Sequence, residues 1–104
     1  MGQYKKVAST NEFDTAKQRL VEVGGLKIAL FSVGDKYYAI GDTCTHRGGP
    51  LSAGMLAEDT VTCPWHGARF DVKTGKVLGP PASQGVPSYN VRVSGNDIEV
   101  EIPS

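Results

Sequence analysis

Cysteine, histidine and tryptophan are scarce in this 104-residue chain, with two, two and one respectively. Two cysteines cannot form the disulfide framework that supports small secreted domains, so a reducing cytoplasm is the expected setting. Excess charge of either sign is also missing. Eleven Lys plus Arg balance eleven Asp plus Glu, and the basic residues are scattered, which removes the electrostatic footprint of a nucleic-acid binder. Long hydrophobic runs are absent too: Leu26 to Val33 is the longest mostly apolar stretch, is interrupted by Lys27, and is far too short to span a bilayer. Met1 to Lys6 leads into no signal-peptide core, and Lys6 stands where a myristoylation motif requires Ser or Thr. The expectation is a soluble, monomeric, intracellular protein with no membrane or nucleic-acid partner. A chain of this size buries about 65% of its unfolded surface, enough for one domain over residues 1–104 but not for a second, substrate-binding one.

Sustained helical periodicity is another absence. Alternation of apolar and polar residues, punctuated by turn residues, predicts an all-β fold. Strands are expected at Tyr4 to Ala8, Arg19 to Val23, Leu26 to Val33 and Lys36 to Ile40, forming a meander with turns at Gly24-Gly25 and Gly34-Asp35. Short strands follow at Val61 to Cys63, Arg69 to Val72 and Lys76 to Leu78, the last two joined over Thr74-Gly75. Tyr89 to Val93 and Asp97 to Ile102 make a closing hairpin over Gly95-Asn96. Ser9 to Ala16 has the capping residues of a helical turn, with Thr10 or Asn11 as the cap. Thr43 to Ala57 and Gly79 to Ser88 read as ordered loops, and Met55 as packing beneath the first of them.

Those loops flank what is present in an unusual arrangement. Both cysteines and both histidines fall in two short pairs, Cys44-Thr45-His46 and Cys63-Pro64-Trp65-His66, separated by residues 47–62. Thiolate and imidazole are both metal ligands, and a loop tip carrying one of each can aim both at a single site. A set of two cysteines and two histidines serves structural zinc, usually with like residues paired. Mixed pairs also suit a two-iron cluster in which one iron takes both thiolates and the other both imidazoles.

The segments Cys44-Thr45-His46-Arg47-Gly48 and Cys63-Pro64-Trp65-His66-Gly67 resemble the two ligand boxes of Rieske [2Fe–2S] proteins. Chain length, the spacing of the boxes and the Gly79-Pro80-Pro81 segment extend the likeness to the small Rieske ferredoxins of bacterial ring-hydroxylating dioxygenase systems. The resemblance implies three stacked antiparallel sheets with two cluster-binding loops at one end, the cluster-binding part covering about residues 43–82. It also implies one [2Fe–2S] cluster per chain, with Cys44 and Cys63 on the inner iron, His46 and His66 on the outer iron, and the proline segment as a cover. High-potential respiratory relatives carry two further cysteines where this chain has Gly49 and Trp65. They carry serine and tyrosine hydroxyls where it has Ala68 and Phe70. These departures favour the ferredoxin branch.

Such a protein needs no catalytic residue of its own. Two thiolates and two neutral imidazoles leave the oxidised cluster formally uncharged, which eases reduction relative to an all-cysteine site. The implied function is one-electron transfer from a flavin reductase to a terminal aromatic-ring-hydroxylating oxygenase. The alternatives are the small Rieske-like subunit of an assimilatory nitrite reductase and a zinc-stabilised interaction module. A Rieske oxygenase would need a second domain and further histidines. Trp65 is expected to pack over the cluster, while Arg47 and Arg69 either tune or dock, or are plain solvated groups.

Overall fold

In the computed structural model, residues 2–13, 17–34, 36–43, 50–65, 67–79 and 85–103 are described. Eleven strands are seen among them: β1 (Gly2–Ser9), β2 (Gln18–Val23), β3 (Leu26–Val33), β4 (Lys36–Gly41), β5 (Met55–Ala57), β6 (Thr60–Thr62), β7 (Arg69–Asp71), β8 (Val77–Gly79), β9 (Ser88–Tyr89), β10 (Val91–Ser94) and β11 (Asp97–Pro103). They pair as three antiparallel sheets: a terminal sheet in the order β1-β11-β10, a central sheet β2-β3-β4-β9 and a loop-bearing sheet β5-β6-β7-β8. The expected all-β, three-sheet architecture is therefore observed.

The central sheet is covered on both faces, and this explains the longest apolar run. Ile28 and Leu30 of β3 join Ala8, Val21, Ala39, Ile98, Val100 and Ile102 in the core facing the terminal sheet. The intervening Ala29 and Phe31 point the other way, into a core with Ile40, Leu51, Val61, Cys63, Ala68, Phe70, Val72 and Val86. A strand buried on both faces has no reason to alternate with polar residues. The β2–β3 hairpin turns at Gly24 and Gly25, as their sequence predicts, and β10–β11 close over Gly95-Asn96.

Three expectations are corrected. The first four strands are not one meander, because β1 pairs with β11 at the other end of the chain and only β2, β3 and β4 follow in sequence. The single strand expected over Tyr89 to Val93 is broken at Asn90: Tyr89 pairs with Ala39 in the central sheet, whereas Val91 pairs with Val100 in the terminal sheet. A chain that changes sheets must interrupt its ladder. The stretch from Thr43 to Ala57 is not all loop, since it holds a short 3-10 helix, Leu51–Ala53, and β5. The helical turn expected after Ser9 is a 3-10 helix, Thr10–Phe13. Its end is capped by the Glu12 carboxylate, which accepts the Ser9 N–H at 2.7 Å. Asp35, part of the second expected turn, lies outside the described residues. No helix among the described residues is long and apolar enough to cross a membrane.

Candidate metal centre

Of the four ligands expected from the sequence, Cys63 is described, whereas Cys44, His46 and His66 lie outside the described residues. Cys63 is buried directly after β6, in the core shared with Ala68, Phe70, Leu51 and Val86. Alternation along the strand puts it there: Val61 and Cys63 face inward, and Thr62 between them faces out. The Cys63 N–H donates to the Ala68 carbonyl at 2.7 Å, closing the second box into a tight loop. Within it, the Trp65 N–H donates to Cys63 Sγ at 3.4 Å. An N–H aimed at sulfur favours thiolate over thiol, which is the form a metal requires.

The base of the first box is built with equal care. Thr43 and Pro50 form an isolated antiparallel bridge, bringing together the two ends of the segment that contains Cys44 and His46. Asp42, buried just before it, holds that bridge in place. Its Oδ1 accepts the Ser52 N–H at 2.7 Å, its carbonyl accepts the Leu51 N–H at 2.7 Å, and its own N–H donates to the Lys27 carbonyl at 3.1 Å. Gln18 of β2 then donates through Nε2 to the carbonyls of Ser52 at 2.6 Å and Gly54 at 2.7 Å. Neither residue was singled out from sequence. Asp42 carried a weak signal, as a capping-type residue just before a Cys-x-His box, whereas nothing near Gln18 marks partners 34 and 36 positions away.

The two bases abut. The backbone of Gly54 lies so close to the Thr62 carbonyl that a Cβ there would collide with it. Leu51 and Cys63 share one core. The third segment returns to the same place: Val86 lies in that core, its N–H donating to the Gly75 carbonyl at 2.8 Å, and the Gly41 N–H donates to the Pro87 carbonyl at 2.8 Å. Residues 80–84, which include the expected proline cover, are outside the described residues. Ala68 and Phe70 are completely buried beside Cys63 and bring no hydroxyl to the site. Trp65 is 49% exposed, and Met55, expected beneath the loop, is 76% exposed on the edge strand β5. The structure thus corrects the Met55 reading, because its position on β5 directs it away from the core.

The donor chemistry and this scaffold fit an iron–sulfur centre: a buried thiol with an N–H aimed at its sulfur, and loop bases that share one core and meet at Gly54 and Thr62. Comparison with known proteins agrees. Residues 3–90 match the Rieske [2Fe-2S] domain family. The 3-phenylpropionate/cinnamic acid dioxygenase ferredoxin subunit of Escherichia coli (strain K12) is 48% identical over 77 residues, covering 73% of each chain. Among solved structures, the ferredoxin of carbazole 1,9a-dioxygenase from Nocardioides aromaticivorans IC177 superposes with a TM-score of 0.88 at 30% identity, covering 94% of this chain and 96% of that one. A complex of reduced oxygenase and oxidized ferredoxin in carbazole 1,9a-dioxygenase gives 0.86 at 34% identity, covering 94% and 92%. The chain belongs to the Rieske [2Fe–2S] domain family, and within it to the ferredoxin type, a protein that carries one cluster and transfers electrons without being an oxygenase itself.

Proposed function

We propose that Cys44, His46, Cys63 and His66 hold the cluster, and that the protein is a soluble, cytoplasmic, monomeric carrier of single electrons from a flavin reductase to a terminal aromatic-ring-hydroxylating oxygenase. The observation that carries the reading is the setting of Cys63, a buried sulfur that accepts a backbone N–H in the loop shared with His66. The relatives named as dioxygenase ferredoxin subunits, and the solved ferredoxin–oxygenase complex, support the choice of partner. The whole chain, residues 1–104, serves as one domain in this role.

When bound, the cluster supplies a centre that takes up and releases one electron with little rearrangement. This chain does the rest. Its paired loop bases hold the ligand boxes against the core, its buried apolar residues keep water from the sulfur side, and the Trp65 N–H on Cys63 favours the charge gained on reduction. Native protein is expected to contain two irons and two acid-labile sulfides per chain, with a dithionite-reduced EPR signal of the Rieske type. One zinc per chain instead would refute the assignment.

The reduction potential follows from what the core withholds. Rieske centres span roughly −150 to +300 mV, and a chain with Ala68 and Phe70 in place of hydroxyl donors is expected in the lower half. Phe70→Tyr places a hydroxyl in a completely buried position beside Cys63. A hydrogen bond to a charged acceptor is worth about 1.5–3 kcal/mol, and at 59 mV per roughly 1.4 kcal/mol the potential rises by up to about 60–130 mV. The sign is positive because the donor stabilises the reduced, more negative state more strongly. Protein-film voltammetry of both proteins measures it. A fall, or no change with an intact spectrum, contradicts the account.

A further inference from the structure

The register of the loop-bearing sheet places Met55, Thr62, Arg69 and Gly79 in one row, paired Met55 to Thr62, Thr62 to Arg69 and Arg69 to Gly79. The next row, Leu56, Val61, Phe70 and Val77, faces the core. The first row must therefore face outward. It is also the last rung before the electron-carrying loop, because Thr62 and Arg69 immediately adjoin Cys63 and Ala68, whose hydrogen bond closes that loop. Met55 is 76% exposed, Arg69 is exposed, and Trp65 at the loop tip is 49% exposed.

Charge along the chain is arranged around this row. Residues 43–57, 60–70 and 77–91 contain no Asp or Glu, and their only charged side chains are Arg47 and Arg69. Of the carboxylates nearest in sequence, Asp42 is buried and accepts the Ser52 N–H, while Glu58, Asp59 and Asp71 lie at the opposite end of the same strands, where Asp59 pairs with Lys73 at 3.4 Å. Among the described residues Arg69 is in no ion pair. Its guanidinium lies instead against the backbone of Gly79, where a Cβ would stand 2.9 Å from one terminal nitrogen and 3.0 Å from Nε. A chain of zero net charge is thus polarised, with a face beside its second ligand box that carries no exposed carboxylate among the described residues.

We propose that the row Met55–Thr62–Arg69, together with Trp65, is the surface on which this carrier meets its electron acceptor, and that the acceptor is a protein presenting a carboxylate-rich patch. The inference rests on the electron-carrier reading above. Exposed Met, Trp and Arg are the residue types that concentrate binding energy at protein interfaces. The guanidinium, which is in no ion pair among the described residues, supplies the polar match. Gly79 lets it lie flat against the sheet, so that its charge is held at the row and not extended into solvent.

The test uses cluster-loaded, reduced protein at low ionic strength, oxidised in a stopped-flow instrument by hexacyanoferrate(III), an anion, and by tris(1,10-phenanthroline)cobalt(III), a cation. In each case one electron passes to the oxidant's metal with no bond made or broken in either reactant. For Arg69→Glu the rate with hexacyanoferrate is expected to fall on the order of tenfold, and the rate with the cobalt complex to rise. A mere change in driving force moves both rates the same way, so opposite shifts identify charge at the exit face. Gly79→Ala displaces the guanidinium without removing it and is expected to reduce the hexacyanoferrate rate by a smaller factor. Poly-L-glutamate is expected to protect the wild type from hexacyanoferrate but not Arg69→Glu. Rates that stay unchanged or move together in Arg69→Glu overturn the proposal, as does protection by polyglutamate that survives the substitution. So does self-association of the wild type that Met55→Asp abolishes, which would give the row to a second copy of the chain. Failure of the carrier reading itself is separate and visible beforehand: the wild type would show no reducible EPR signal.

Discussion

Cys63→Ser is expected to yield protein without a cluster, pale and EPR-silent after reduction, and with a much lower thermal midpoint. The side chain occupies a core with Val61, Ala68, Phe70, Leu51 and Val86 and is 3% exposed, so no water can stand in for a lost ligand. Serine is a poor ligand for iron and a costly guest here, since a hydroxyl moved from water into this apolar core loses more solvation than the Trp65 N–H returns, a cost of about 1–3 kcal/mol. Binding energy at a preformed metal site is also folding energy. A combined loss above about 3 kcal/mol, at roughly 4–8 °C per kcal/mol for a domain of this size, lowers the midpoint by more than about 12 °C. Cys63→Ala separates the two contributions. It removes the ligand but keeps the site apolar, so the cluster is again lost while the apoprotein is more stable than that of Cys63→Ser. Retention of a full Rieske spectrum in Cys63→Ala would remove Cys63 from the ligand set.

The second large effect is expected at Gly75. Gly75 and Gly25 have the same φ of +78°, where an L side chain is strained, yet their surroundings differ. Around Gly25 a Cβ meets nothing within 4 Å, so Gly25→Ala should cost only the left-handed backbone penalty of about 1–2 kcal/mol. At Gly75 the Cβ would run into the carbonyl of Val86, on the same short contact whose other half is the Val86 N–H bond to Gly75. Backbone cannot yield as a flexible side-chain end does. Gly75→Ala is therefore expected to cost about 3–4 kcal/mol, the strain plus a lost hydrogen bond and displaced packing of Val86. Because Val86 anchors the Gly79 to Ser88 segment in the core that holds Cys63, the cluster should also bleach faster in air. Urea unfolding of the two variants and the decay of visible absorbance measure both effects. Equal losses at Gly25 and Gly75 would contradict the close approach as the cause.

What was readable from the chain alone follows a physical division. Hairpins such as β2–β3 and β10–β11 are decided within a few residues, by alternation and by glycines in the turn. The strand β5 was not readable, because Met55–Ala57 is too short to display a period and stands in a glycine-rich stretch. The partners of Gln18 and of β1 were equally hidden. A side chain that bonds carbonyls 34 and 36 positions later leaves no local pattern, and neither does a first strand that waits for the last one. Met55 is a related case: its apolar character suggests burial, while its register on an edge strand turns it outward.

The sequence by itself determined the chemistry and the class. Paired cysteine and histidine at Cys44, His46, Cys63 and His66, the ligands proposed above, have few uses beyond a metal centre, and short alternating segments with glycine turns have few outcomes beyond antiparallel sheets. Only the tertiary structure decided which sheet lies in the middle, how Asp42 and Gln18 hold Ser52 and Gly54, and which face beside Cys63 carries an exposed arginine over Gly79. Those properties depend on contacts between residues far apart in the chain. They are set when the cores close and strand register is chosen, and residue type and spacing along one segment do not encode them.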